Sequence, residues 1–165
     1  MSNQLDVHQI CKATSVTRTQ LNQWITRGYF QPAEEPVNGK ARSFTVGEGI
    51  TLGVFAELIR LGVPHDLAAR CSKHLHGFKD EPALLIIYQG PMELIPTSER
   101  GEPLPTEKKG LKFYDPAMPP VVGEIIKLSK LSDYAANPDV RSMVVVNIDY
   151  VESRVKAKLA ADAEG

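Results

Sequence analysis

Within the first fifty residues three segments repeat one local pattern: Asp6-Val7-His8-Gln9, Thr17-Arg18-Thr19-Gln20 and Thr45-Val46-Gly47-Glu48. In each, a short oxygen side chain can accept from an orphan backbone N–H. The Gln or Glu three residues on can reach back to the first residue's own N–H. A helix is therefore expected to start directly after each of the three. The first two starts lie so close together that only a short helix and a tight turn fit between them.

Hydrophobic spacing fills in the rest of this half. A helix over residues 6–13 turns Val7 and Ile10 inward, and Thr14-Ser15-Val16 make the turn. A second helix over 18–27 carries Leu21, Trp24 and Ile25 at i, i+3, i+4 as one apolar stripe, and Gly28 stops it as a left-handed C-terminal residue. Residues 29–43 hold Pro32, Pro36 and the pair Asn38-Gly39 without helical periodicity. Asn-Gly is a strong hairpin signal, so short strands at 29–31 and 41–44 are expected to form a wing. A third helix follows Thr45. Its face is Ile50, Val54, Leu58 and Leu61, with Phe55 and Ile59 beside it, and Gly62 ends it. Pro64 opens a fourth helix reaching about residue 76. Residues 77–82 read as a hinge, which makes residues 1–77 one unit and 83–165 a second.

The second unit reads as a small α+β domain. Residues 83–88 form a continuous apolar run of strand length. Gly90-Pro91 break it, and 92–95 are expected to resume pairing. Residues 96–110, with Pro96, Pro103 and Pro105, read as an exposed loop, followed by a short strand at 111–114. Pro119-Pro120 are expected to start a helix with Val122, Ile125, Ile126 and Leu131 on its apolar face. Residues 143–148 are β-branched and strand-like. Asp149-Tyr150-Val151-Glu152 is a fourth capping box, opening a C-terminal helix with a stripe of Val151, Val155 and Leu159.

Composition sets outer limits. The chain has 165 residues, 42% of them apolar, enough for one large or two small domains. The formal net charge of −1 does not by itself point to nucleic acid. Charge is uneven, however: residues 1–77 carry 8 Lys and Arg against 6 Asp and Glu, and residues 78–165 carry 11 against 14. Two cysteines make no disulfide framework. The polar start and the absence of a long apolar run argue against a signal peptide or membrane span, so a cytoplasmic protein is expected.

Residues 7–68 resemble the DNA-binding domain of MerR-type transcription regulators, a winged helix–turn–helix. The resemblance rests on Ile10, the turn Ser15-Val16-Thr17, Leu21, Trp24, Gly28, Pro32, Gly39, Arg42, Phe44 and the run Leu58-Ile59-Arg60-Leu61-Gly62-Val63. It covers a little over a third of the chain. Three positions depart from the family pattern: Asn22 stands where an Arg is usual, Ile25 where an acid is usual, and Phe44 where a wing Tyr is usual. After the fourth helix the family commonly continues into a long dimerisation helix and an effector domain; no such helix is visible here, because Gly77 and Pro82 interrupt it, and the sensing part of the family does not carry over. The resemblance implies sequence-specific DNA binding in transcriptional control, with the second helix reading the DNA.

The residues support that reading on their own chemistry. Thr17 and Thr19 are short donors at a helix start, where free backbone N–H groups favour phosphate. Arg18, Gln20, Asn22 and Gln23 fall outside the apolar stripe. Arg suits guanine, and Asn or Gln suits adenine, through paired hydrogen bonds in the major groove. Lys40 and Arg42 belong to the wing and are expected to reach phosphate or the minor groove. Double-stranded DNA is the expected partner, and the expected assembly is a homodimer formed through residues 83–165, by way of the stripe on the last helix. Two other readings stay open. One is a phage or mobile-element protein that shapes or recruits to DNA, like an excisionase or terminase small subunit. The other is a protein-interaction adaptor.

Rival chemistry is thin. Cys71, His74 and His76, with His65 nearby, offer no second Cys/His pair to complete a four-ligand site, so no metal or other cofactor is expected. Cys11 reads as a buried small apolar residue. No nucleophile–base constellation, Gly-rich phosphate loop or zinc-protease motif occurs, so no enzymatic activity is expected.

Overall fold

Each of the first three helices begins where its cap predicts. The computed structural model describes residues 4–35, 37–90 and 121–163. Asp6 caps α1 (Val7–Thr14), Thr17 caps α2 (Arg18–Thr26) and Thr45 caps α3 (Val46–Arg60), with both hydrogen bonds of the capping box formed in each case. Gly28 follows α2 with φ +76. Two short strands lead into two of these caps. β1 (Gln4–Asp6) and β2 (Ser43–Thr45) pair antiparallel with Leu5 opposite Phe44, so the starts of α1 and α3 lie side by side. Leu5 and Phe44 are both buried.

β2 has a different partner from the one expected. Residues 29–31 are not a strand, and the β-pairing that organises this region runs to the N-terminal residues instead. The Asn38-Gly39 turn does form, with Lys40 N donating to Val37 O at 3.0 Å. Side chains hold the loop in place of a ladder. Ser43 Oγ donates to Glu34 Oε2 at 2.9 Å, and Ala33 N donates to Glu48 Oε1 at 2.6 Å. The fourth helix, α4 (His65–Cys71), is shorter than its sequence pattern suggests, and His74 beyond it has φ +58.

The remaining described elements are β3 (Ala83–Gln89), β4 (Val121–Lys127), a 3-10 turn (Leu128–Lys130), α5 (Leu131–Ala136), β5 (Ser142–Asn147) and α6 (Ile148–Ala163). The sheet is antiparallel in the order β4-β3-β5, with Leu85 opposite both Ile125 and Val146. β3 is buried from Ala83 to Tyr88, and both of its faces are covered. Ala83, Leu85 and Ile87 join the helical core with Val146 and Ile148, while Leu84, Ile86 and Tyr88 pack with Ile126 and Tyr134 on the other side. The fold is thus mixed α+β.

Residues 121–127 form β4 rather than the expected helix. Val122, Ile125 and Ile126 have helical spacing, but β3 offers a ladder of partners from Ala83 to Gln89, and in the strand Val122 and Ile126 face one core cluster while Ile125 faces the other. The expected strands at 92–95 and 111–114, and the loop at 96–110, lie outside the described residues.

α6 lies on α1 and α3, and one apolar core runs through both halves of the sequence. Asn147, not Asp149, caps it: Asn147 Oδ1 accepts from Tyr150 N at 3.1 Å, and Asp149 Oδ1 accepts from Ala83 N at 2.9 Å, tying the helix to the start of β3. The stripe expected to drive self-association is spent inside the chain. Val151 and Val155 are buried in the shared core and Leu159 packs against it. The face expected on α3 packs inward except for Leu61, which lies just past the helix end. Gly53 is buried under Val151, and a β-carbon there would collide with Val151 Cγ1. Leu61 points to solvent.

Candidate nucleic-acid interface

α2 separates its residues cleanly. Leu21 and Trp24 are buried, and Trp24 meets Phe55 edge-on at 4.8 Å between ring centroids. Tyr29, just past the helix, packs on Phe55 and His65 at 6.3 and 5.1 Å. These rings fix the inner side of α2 to α3 and α4. The outer side carries Arg18, Thr19, Asn22 and Gln23, all exposed. At 3.6 residues per turn they span an arc of about 140°. Their side chains make no hydrogen bond or ion pair with the described residues, so their donors and acceptors are free for a ligand.

Thr17 and Gln20 differ from these four. Thr17 Oγ1 accepts from Gln20 N at 3.1 Å, and Gln20 Oε1 accepts from Thr17 N at 3.0 Å and from the Thr17 hydroxyl at 3.2 Å. Both side chains are occupied in starting the helix.

The two residues expected on the wing part company as well. Lys40 is exposed on its turn, whereas Arg42 is half-buried and its Nε has no hydrogen-bond partner among the described residues. Both line an open cleft of about 290 Å³ with Val37, Ala41, Glu34 and Glu35. The two carboxylates temper the positive charge of this loop, which sequence spacing did not reveal.

Sequence reasoning also missed how the turn before α2 is held. Ser15 adopts a left-handed conformation, φ +55, which costs a non-glycine residue energy unless its surroundings hold it. Arg60 of α3 supplies that support. Its Nη2 donates to Thr14 O at 2.7 Å and Ser15 O at 3.0 Å, while Nη1 pairs with Glu57 at 2.6 Å. From the other side, Arg154 Nη2 of α6 donates to Ser15 Oγ at 3.2 Å. No local pattern announces a contact between residues 15 and 154.

The cysteines lie beside these features. Burial pushes the Cys11 thiol up, with the nearby positive charge of Arg18 opposing it. Burial likewise pushes Cys71 up, against Arg70. Among the described residues no three His, Cys, Asp or Glu side chains gather as metal ligands, and no helix is long and apolar enough to cross a membrane. No protein-family model matches the chain, and no curated protein matches it significantly.

Proposed function

We propose that this protein is a sequence-specific DNA-binding regulator of transcription, built on a MerR-like winged helix–turn–helix, with α2 as the reading helix. The observation that carries the reading is the outer face of α2. Arg18, Thr19, Asn22 and Gln23 stand free on a helix whose opposite side is locked by Leu21 and Trp24. Hydrogen-bonding side chains on a rigidly mounted helix suit base edges in a major groove. The capped start of α2 adds unpaired backbone N–H groups for phosphate. Lys40 and Arg42 supply backbone contacts from the neighbouring loop, weakened by Glu34 and Glu35.

Homodimerisation belongs to the same proposal, because two linked modules gain affinity by occupying two half-sites together. Its contact must lie outside the buried stripe of α6. The deciding experiment selects bound duplexes from random DNA with the full-length protein. It then measures affinity for the selected and random duplexes across a salt series, with sedimentation of the free and bound protein. A regulator yields a recurrent motif and a preference of about 10³-fold or more over random DNA. An architectural protein yields bent DNA with little preference, and an adaptor yields no salt-dependent affinity.

A further inference from the structure

The sequence divides its basic residues between distant segments, and the fold brings one from the far end of the chain to the turn that precedes α2. Arg154 lies on α6, 139 positions from Ser15, yet its Nη2 reaches Ser15 Oγ. Only Val16 separates Ser15 from the Thr17 cap, a span of at most about 7 Å. The guanidinium stands over the ring of Tyr150, 5.9 Å from its centroid, and Tyr150 is itself 54% exposed. Arg154 therefore sits at the surface, held by a hydroxyl below and a ring beside it.

Its partners leave its charge intact. Arg60 of α3, which holds the same turn, is paired with Glu57, and Lys156, two positions from Arg154 on α6, is paired with Glu152. Arg154 has no carboxylate partner among the described residues. A guanidinium has five N–H donors in a planar fork, and the Ser15 contact uses one of them. The remaining donors form the geometry that meets a phosphate through two parallel hydrogen bonds. Because the ring and the hydroxyl restrict the side chain already, less freedom is lost when an anion binds.

We propose that Arg154 is a backbone-phosphate contact of the DNA interface, so that the C-terminal helix is part of that interface as well as of the core. This rests on α2 being the DNA-reading helix. A phosphate contact carries no base information and acts equally on all sequences.

The test compares wild type, Arg154→Gln and Arg154→Lys as full-length proteins on a selected duplex and a random duplex across a salt series. Removing one phosphate contact should flatten the slope of log affinity against log salt by about 0.9 on both duplexes, and Arg154→Lys should keep the slope. A folded Arg154→Gln protein with the wild-type slope overturns the proposal while wild-type binding leaves the DNA reading intact. Weaker binding at an unchanged slope, together with a lower melting temperature, also overturns it, since that is what a purely structural residue would give. In wild type the Arg154 Nε–H resonance should shift on adding the duplex. No shift overturns the proposal without relying on any variant's folding. A wild-type protein with no salt-dependent affinity for either duplex overturns the DNA reading itself, and this inference with it.

Discussion

Gly53 lies directly under Val151, and there is no room for a β-carbon between α3 and α6 at this crossing. Gly53→Ala is expected to force Val151 aside and to destabilise the protein by about 1–3 kcal/mol, the usual cost of overpacking. Trimming the partner in the double variant Gly53→Ala, Val151→Ala should recover part of that loss. Urea unfolding of the two single variants and the double variant measures the coupling. Strictly additive losses would show that the two residues do not meet.

The free face of α2 should carry sequence discrimination. Arg18→Ala and Asn22→Ala are each expected to lose about 1–3 kcal/mol on the selected duplex and much less on random DNA. Thr17→Ala should behave differently. It removes a cap and lowers stability by about 1 kcal/mol, without shifting which sequences are selected. Retention of wild-type specificity in both face variants would move the reading surface elsewhere.

The loop at Lys40 and Arg42 should act through charge. The double variant Lys40→Ala, Arg42→Ala is expected to weaken binding on all duplexes and to flatten the salt slope by at most about 1.8. Glu34 and Glu35 stand on the same cleft, so Glu35→Gln should strengthen binding at low salt. An unchanged slope in the folded double variant would remove this loop from the interface.

Acid should loosen the approach to β3. A hydrogen bond from Lys127 Nζ, 2.7 Å away, holds the Asp80 carboxyl below the usual carboxylate range. Hydrogen bonds from Ser129 do the same for Glu81, at 2.6 Å from its Oγ and 2.8 Å from its N. Folded values below the unfolded ones mean that the stabilisation is fully present only above the unfolded values, from about pH 5 upward, and is lost as the pH falls through the folded values. The urea midpoint of wild type should therefore exceed that of Asp80→Asn, Glu81→Gln at neutral pH, and the gap should close in acid. A gap of constant size would show that these carboxylates do not titrate with the fold.

What the sequence disclosed was local. Capping boxes span four residues and announce α1, α2 and α3 at the right places, and the Leu21/Trp24 stripe correctly separates the two sides of α2. Readings failed where a distant partner decides between two local options. Residues 121–127 carry apolar spacing compatible with a helix, and pairing with β3 makes them a strand. Ser43–Thr45 reads as strand, but nothing nearby reveals that its partner is Gln4–Asp6. Asp149 begins an S/T/D-x-x-E pattern, yet Asn147 takes the cap and Asp149 turns to Ala83. Of the candidate interface, the free residues on α2 were legible. So was the engagement of Thr17 and Gln20 in their own cap, whereas the arrival of Arg154 was not.

The crossing of α6 over α3 also sets a timetable for synthesis. Gly53 and the apolar side chains around it leave the ribosome roughly a hundred residues ahead of Val151, an interval of about 5–20 s at ordinary elongation rates. For that interval α1 and α3 must stand with the surface destined for α6 bare to water. The nascent N-terminal segment is thus a natural client for chaperones that hold apolar surfaces, and slowing translation between codons 60 and 150 should lengthen its exposure in proportion.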